Sequence, residues 1–382
     1  MPAGRSVTLS VTALAIGAMV FAGVPISTAW AVPSTTGTIA FVSEVNNDDE
    51  IAIMSADGAR TQVLTDNAGP DRAPSWSADG SSLVFNSRRA PHPTRPQIYQ
   101  LDPATQIATR LTDSAAEDQR ASLSTSGGQL FLQRGVFSFL PGSSQPFNLI
   151  QRDLGSGVET ALTADVVVAI WNAAPAPSPD GRWLLFQSNR DVPSPSGPFP
   201  QTLYALDLAN GNTVTALPFG ASLGAANSID GPRWNADGTE FVYSSGGRLF
   251  VGSATGADPA LWGSAPVTIG DEDSSPSFSP DGTSIVFQTY VEGADPDGAD
   301  DVTLIRVLDR ATGEINELGE GRTPVWTSRE WLPGPASADN AQAELPATGS
   351  ATLLSGAALG GALLLIGAVA GRRRGRREHL SS

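Results

Sequence analysis

One twelve-residue pattern recurs five times along the chain, and this repeat constrains the fold more than any other feature. Its copies begin at Pro74, Ala121, Pro175, Pro232 and Pro276 and read PSWSADGSSLVF, ASLSTSGGQLFL, PAPSPDGRWLLF, PRWNADGTEFVY and PSFSPDGTSIVF. Successive copies start 44 to 57 residues apart. Because a period of this length is typical of β-propeller blades, the sequence predicts a ring of repeated small sheets.

Each copy predicts two strands, A and B, joined by a tight turn. The turn is Asp-Gly in four copies, at Asp79, Asp180, Asp237 and Asp281, and Ser126-Gly127 in the second copy. An Asp side chain bonds nearby backbone amides and Gly accepts positive φ, so we interpret these residues as turn formers. Further apolar runs such as QIYQLD and ATRLT supply strands C and D, which completes a four-stranded blade.

The two ends of the repeat array complete one another. The N-terminal runs GTIAFVS, EIAIMSAD and TQVLT predict strands B, C and D without a strand A, and TPVWTSREW from Thr323 predicts a strand A alone. The sequence therefore predicts an all-β, six-bladed propeller over residues 32–333, closed by pairing of the C-terminal strand A with the N-terminal strands. The motif PxWSxDGxxLVF with IYxLD and LT resembles the TolB-like propeller repeat.

Both ends of the chain carry patterns of processed segments. Residues 1–31 contain Arg5, an apolar run, and Ala29 and Ala31 in an A-x-A arrangement, which predicts a signal peptide cleaved after Ala31. A short stalk over 334–344 precedes the motif LPATG, then an apolar stretch and a cluster of arginines within 350–382. The motif consists of Leu345, Pro346, Ala347, Thr348 and Gly349.

This tail resembles the cell-wall sorting signal of Gram-positive surface proteins. The resemblance implies that a sortase cleaves after Thr348 and joins its carbonyl to peptidoglycan, following transient retention by the apolar span. We therefore expect a secreted, wall-anchored protein. All 23 basic residues are arginines, so no lysine amine is present to link one copy to the next, and we expect a monomer.

The charge of the chain excludes one class of partner. The formal net charge of −16 repels phosphate backbones, so nucleic acid is not an expected partner.

Loop length indicates which face of the ring has a function. Long, irregular B–C and D–A connections lie on one face of the predicted ring, which is where repeat scaffolds usually bind ligands. The candidate contacts on this face are Arg88, Arg89, Arg95, Phe137, Phe139, Phe147, Trp171, Arg190, Phe199 and Tyr290.

An acidic loop on the same face is a candidate Ca²⁺ site, because hard cations take several oxygen ligands from a flexible chain. Its acids are Asp295, Asp297, Asp300 and Asp301, but it lacks the Glu that completes an EF-hand loop, and a solvated acidic loop is the alternative. No residue is predicted to be catalytic from the sequence.

Two functions stay open. The first is a binding module for a polymer or a protein. The second is a carbohydrate-active enzyme that uses a pair of carboxylates, since two acids are enough for glycosidase chemistry. An enzyme should show two or three carboxylates converging at the mouth of the central channel, whereas a binder should show a patch of aromatic residues and arginines across the loops.

Overall fold

A computed structural model describes residues 36–91, 93–136, 145–165, 170–191, 201–219, 229–268, 270, 272–293 and 301–332. Within these residues the chain forms 24 strands in six four-stranded antiparallel sheets. The predicted six-bladed β-propeller is confirmed. The one helical segment among the described residues is a single 3₁₀ turn, Pro259–Leu261.

Each blade runs from strand A, on the channel, to strand D at the rim. The first blade has β4 Asp71–Trp76, β5 Leu83–Ser87, β6 Gln97–Asp102 and β7 Ile107–Arg110. The second has β8 Glu117–Leu123, β9 Gln129–Val136, β10 Gln145–Asp153 and β11 Glu159–Ala161. The third has β12 Asn172–Pro177, β13 Trp183–Ser188, β14 Thr202–Asp207 and β15 Thr213–Ala216.

The remaining three blades repeat the same order of strands. The fourth has β16 Ile229–Trp234, β17 Glu240–Ser245, β18 Arg248–Ser253 and β19 Gly263–Pro266. The fifth has β20 Asp273–Phe278, β21 Ser284–Val291, β22 Val302–Asp309 and β23 Ile315–Glu320. The sixth combines β24 Arg322–Thr327 with β1 Thr38–Val45, β2 Asp48–Ser55 and β3 Thr61–Val63.

The sixth blade closes the ring as the sequence predicts. Strand β24 pairs antiparallel with β1, and Ile39 lies opposite Trp326 while Ala40 lies opposite Val325. The Trp326 indole donates to the carbonyl of Thr36, which adds a side-chain link to the same joint. First and last elements thus share one sheet, and no strand edge is left open between them.

The hydrophobic core lies between neighbouring blades. One cluster joins Ile51 and Ile53 of the sixth blade to Leu83 and Phe85 of the first, and all four side chains are buried. Strand B is buried on both faces because a blade packs on each side of it, which explains its continuous apolar sequence.

The A–B turns have the chemistry that the repeat predicts. Asp79 accepts hydrogen bonds from the Ser77 hydroxyl at 2.7 Å and from the Ser81 amide at 3.0 Å, and Gly80 has a φ of +65°. These bonds, the Ser77 bond first, lower the pKa of Asp79 to about 2. In the second blade Gly127 keeps the positive φ and Ser126 takes the place of the Asp.

The recurring Leu-Thr has a structural cause that the sequence does not show. In the first blade the Leu111 amide bonds the carbonyl of Ile98, and the Thr112 hydroxyl accepts from the Ile98 amide at 3.0 Å. The Thr side chain therefore extends the C–D pairing by one bond beyond the last residue of strand D. The second blade repeats this bond with Leu149 and Thr163.

Within the described residues, no helix has the length and hydropathy needed to cross a bilayer. The predicted signal peptide, the stalk, LPATG and the apolar tail lie outside those residues.

Candidate ligand-binding face and channel mouth

Each innermost strand carries one residue in the left-handed region, with φ between +43° and +54°. At this point strand A has one more residue than the strand B segment it pairs with, which is a β-bulge. The six residues are Ala73, Arg120, Ala174, Gly231, Ser275 and Thr323. Since five of them are not glycine, their conformation costs about 1–2 kcal/mol each and must be held by neighbours.

Amide side chains on strand B of the preceding blade hold the bulges in place. Gln187 accepts from the Gly231 amide at 2.8 Å, and Gln288 accepts from the Thr323 amide at 2.6 Å. Equivalent bonds join Gln133 to Ala174 at 3.2 Å and Asn86 to Arg120 at 3.4 Å. These bonds cross from one blade to the next, so they fix the inner strands around the channel.

The six bulges surround a cavity of about 320 Å³ at one mouth of the channel. This mouth lies at the beginnings of the A strands and the ends of the B strands, on the side of the long loops. Besides the bulges, its described lining includes the charged residues Asp49, Arg72, Arg233 and Arg322, and Arg120 is itself a bulge residue. The mouth therefore carries four guanidinium groups and one carboxylate among its described lining residues.

One buried acid organises two of these arginines. The Asp49 side chain is 7% exposed, and its two oxygens accept from Arg72 Nε and Arg322 Nη2. Arg72 and Arg322 belong to adjacent blades and immediately precede equivalent bulges, so Asp49 bridges the closing joint of the ring. In the fourth blade Asp230 holds the same register position as Arg72.

The other mouth, on the side of the A–B turns, is different. Its cavity of about 470 Å³ is lined by aromatic, small and hydroxyl residues, including Trp76, Trp234 and Trp326, with Arg233 as the one charged residue among the described lining. Among the described lining residues, Arg233 therefore contributes to both cavities, whereas Arg72, Arg120 and Arg322 line the loop-side cavity alone.

Three residues of the predicted binding face are exposed. Arg88 and Arg95 lie on the B–C loop of the first blade, where Arg95 donates to the carbonyl of Ala115. Tyr290 is 42% exposed, and its hydroxyl donates to Asp301. This bond raises the pKa of Tyr290 to about 12 and lowers the pKa of Asp301.

Two predicted contacts, Arg89 and Arg190, hold the loops from within. Arg89 donates to Asp71 at 2.5 Å and lies about 5 Å from the ring centroids of Phe85 (5.2 Å) and Tyr99 (5.0 Å). Arg190 donates to Asn172 at 2.8 Å and stacks in the same way on two rings, Phe186 and Tyr204. Both guanidinium groups are therefore engaged in packing between strands A, B and C.

Two of the described aromatic residues of the predicted face, Phe147 and Trp171, pack against each other. Phe147 is 1% exposed, and its ring centroid lies 4.6 Å from that of half-buried Trp171. The Phe147 ring is therefore not a surface contact. Phe137, Phe139 and Phe199 lie outside the described residues.

The predicted Ca²⁺ loop is described at Asp301 alone, whereas Asp295, Asp297 and Asp300 lie outside the described residues. Asp301 accepts from Tyr290 and, at 2.8 Å, from the Gly293 amide. Among the residues that the structure describes, no group of three acidic, His or Cys side chains is placed to hold a metal. The Ca²⁺ site stays a prediction.

The arginines of the mouth were missed at the sequence level because they are up to 250 residues apart and no single loop contains them. A signal was nevertheless present. Arg72 and Arg322 occur in DRAPSW and GRTPVW, and Arg233 occurs in GPRW, all within the strand A motif. Because strand A is the innermost strand of a blade, a charged residue inside this motif indicates a channel position.

Comparison with known proteins agrees with this architecture. A family model described as the TolB beta propeller domain matches residues 7–164. An uncharacterised protein of Agrobacterium fabrum is 27% identical over 194 residues, which is 50% of this chain and 60% of that protein. The chain therefore aligns with less than two thirds of this relative.

Solved structures of TolB proteins share the fold. TolB from Acinetobacter baumannii superimposes with a TM-score of 0.55 and 21% identity, over 76% of this chain and 66% of that one. A putative TolB from Agrobacterium tumefaciens gives a TM-score of 0.52 and 18% identity, over 75% and 91% of the two chains. At these identities the similarity establishes the propeller fold that the chain shares with TolB proteins.

Proposed function

We propose that this protein is a secreted, wall-attached propeller that binds a polymer or a protein through its loop-bearing face, with the channel mouth at the centre of the site. One observation carries the proposal: four arginines from four blades line the mouth on the side where the longest connections emerge. A concave site ringed by fixed polar groups and surrounded by variable loops is the usual arrangement of a binding surface on a rigid scaffold.

The same observation weighs against the alternative enzyme. Glycosidase chemistry needs two carboxyl groups on opposite sides of a scissile bond, one as acid and one as base or nucleophile. Among the described lining residues the mouth presents Asp49, whose oxygens are both engaged by arginines. A single carboxylate whose two oxygens are held by guanidinium groups does not supply the pair of carboxyl groups that this reaction needs. Binding therefore fits the mouth better than hydrolysis.

Wall attachment is supported by the ordered LPATG motif, apolar stretch and arginine cluster. The sortase and the peptidoglycan amine would be the partners in this step, with Thr348 as the residue that is joined. If Thr348→Ala leaves the protein in the wall fraction rather than in the membrane fraction, this part of the proposal is wrong.

The binding proposal is tested on an array of glycans, cell-wall polymers and extracellular proteins. We expect the propeller to retain a polymer or protein without cleaving it, and Arg88→Ala with Tyr290→Ala to weaken retention. Arg182→Ala is the matched control, because Arg182 follows the A–B turn Asp180-Gly181 on the opposite face. Each measurement is repeated with Ca²⁺ and with a chelator.

Two outcomes contradict binding through this face. One is cleavage of an arrayed glycan, which would favour the enzyme. The other is equal loss of retention in Arg182→Ala and in the loop-face variant.

A further inference from the structure

We propose that the channel mouth is an anion site that takes a compact oxyanion group, a carboxylate or a phosphate, through Arg72, Arg120, Arg233 and Arg322. This inference rests on the proposed binding function and adds the chemistry of the ligand. It assigns the mouth to the part of the ligand that enters the channel and leaves the loops to contact the remainder.

The local charge is opposite to that of the whole chain. The chain carries 39 acidic residues against 23 basic ones, yet its described lining at the mouth has four arginines and one acid. A concave site of one sign of charge with low-dielectric walls concentrates field lines and attracts the opposite ion. The arginine-lined mouth is therefore expected to attract anions, although the chain as a whole is acidic.

The arginines are placed by the inner strands and not by the loops. Arg72, Arg120, Arg233 and Arg322 all lie within the A strands β4, β8, β16 and β24, at or next to the bulges. The side-chain oxygens of Asn86 and Gln288 accept hydrogen bonds from the backbone N–H groups of Arg120 and Thr323, which fixes these two bulges. A ligand therefore meets guanidinium groups whose backbone is already held, which reduces the ordering cost of binding.

Asp49 keeps two of the guanidinium groups at the mouth in the absence of ligand. It contacts Arg72 and Arg322 while their side chains stay 56% and 41% exposed, so each retains surface toward the cavity. One carboxylate cannot neutralise two arginines. An entering oxyanion would supply the missing negative charge and accept from the remaining N–H groups.

Size and geometry fit a small oxyanion. The cavity of about 320 Å³ lies near the lower limit of small-ligand sites, which hold roughly 300–1,000 Å³. It therefore admits one small ligand or one chain end. The planar guanidinium fork matches the two oxygens of a carboxylate or phosphate, whereas neutral sugars gain less from it.

The test uses the purified full chain in mild detergent at low ionic strength, with citrate in one arm and pyrophosphate in the other, measured by calorimetry. Binding of citrate identifies carboxylate as the source of the oxyanion, and binding of pyrophosphate identifies phosphate. We expect Arg233→Gln and Arg120→Gln each to weaken binding roughly tenfold, the equivalent of one lost charge-assisted contact. Raising the salt to about 0.15 M should weaken it further through screening.

Two further variants separate a site from diffuse charge. Arg110→Gln removes the same charge from the rim strand β7 and should leave binding unchanged. Asp49→Asn should tighten binding, because Arg72 and Arg322 then lose the carboxylate that competes for them. A thermal transition recorded for each variant confirms folding. If Asp49→Asn does not fold, comparison of Arg233→Gln and Arg120→Gln with Arg110→Gln still tests the anion site.

The inference is overturned if neither anion binds the folded protein, or if Arg110→Gln weakens binding as much as Arg233→Gln does. It fails separately from the proposed function. A polymer or protein that the loop face retains equally well in Arg233→Gln would leave the binding module intact and remove the anion site. Conversely, anion binding without any retained polymer or protein would leave the site and remove the larger function.

Discussion

Glu50 shows how one residue departs from the repeat. Near the start of strand C, Gln97 in the first blade and Asn148 in the second accept from the Thr hydroxyl of the Leu-Thr motif and from a backbone amide two residues later. Glu50 accepts the equivalent two bonds on separate oxygens, from the Thr65 hydroxyl to Oε2 at 2.5 Å and from the Asn67 amide to Oε1 at 2.8 Å. A carboxyl group thus stands where two other blades have an amide.

Burial raises the pKa of Glu50 above 4.5, and neighbouring Asp71 raises it further, although the bonds from Asn67 and Thr65 oppose the shift. Because the folded pKa exceeds the unfolded one, Glu50 contributes stability below pH 4.5 that is lost as pH rises through the folded pKa. The ionised carboxylate is therefore unfavourable at neutral pH.

We accordingly expect Glu50→Gln to raise the melting temperature at pH 7, by the few degrees that about 1 kcal/mol represents, and to have little benefit at pH 4. A Gln side chain can accept both bonds on its one oxygen, as Gln97 does in the first blade. Glu159→Gln is the control, since Arg134 lowers the pKa of Glu159 and the change should destabilise at pH 7. Calorimetry across pH 4 to 8 compares the two, and a loss of stability in Glu50→Gln at pH 7 would contradict this account.

Two turn glycines allow a second comparison at single residues. Gly80 and Gly282 hold the same position in different A–B turns, with φ of +65° and +71°. A Cβ on Gly80 would lie 2.1 Å from Thr327 Oγ1 and 2.9 Å from Arg329 Cβ, whereas one on Gly282 meets nothing within 4 Å. The first turn packs against the closing segment of the ring, and the fifth does not.

We expect Gly282→Ala to cost about 1 kcal/mol, the penalty of the left-handed conformation alone. Gly80→Ala should cost roughly 1–3 kcal/mol more, because the closing segment must move. Denaturant unfolding gives both free energies. Equal losses would mean that this contact with the sixth blade does not matter for stability.

At the scale of the strand, the bulges and the amides that hold them determine the shape of the channel. Gln288 accepts from the Thr323 amide at 2.6 Å and donates to Ser274 at 3.0 Å, so it joins the fifth blade to the inner strand of the sixth. Removing its acceptor would leave a backbone N–H of the bulge without its partner.

Gln288→Leu should therefore lower the free energy of unfolding by about 1–3 kcal/mol. Gln100→Leu is the control, because Gln100 bonds Ser82 within a single blade and no bulge depends on it. The two losses are compared by denaturant unfolding. If Gln100→Leu lowers the free energy of unfolding as much as Gln288→Leu does, the hydrogen bond between blades contributes no more to stability than one within a blade.

The elements differ in how far sequence alone predicts them. Strands A and B, their Asp-Gly turns and the blade count were predictable, because each depends on residues close together in the chain. The bulges were not, since Ala73 and Ser275 lack a glycine signal and the amides that stabilise such positions come from the neighbouring blade. The mouth was missed for the same reason: its arginines meet only when the ring is assembled. Arg89, Arg190 and Phe147 were candidate contacts of the loop face, with packing as the alternative role, and the structure shows them packed inward.

For the whole molecule, closure of the ring decides whether six blades behave as one domain. Strand β24 is the inner strand of the sixth blade. Its Val325 is buried in the cluster shared with the first blade, and its Trp326 is buried in the cluster shared with the fifth. It also supplies Arg322 and Thr323 to the channel mouth. The N-terminal strands therefore depend on a segment nearly 300 residues away in the chain.

We expect a chain ended after Gly321 to lose this joint, because it removes β24 and exposes the edge of β1 to pairing with other chains. The melting temperature should fall by well over the ~2–4 °C that 1 kcal/mol represents in a domain of 150–250 residues. A chain ended after Leu332 is the matched control, since it keeps β24 and Trp331, whose indole donates to the Gly80 carbonyl at 2.9 Å. Calorimetry compares the melting of the two chains, and light scattering reports aggregation through the open edge. If both chains melt at the same temperature, the pairing of β24 with β1 is not what holds the ring closed.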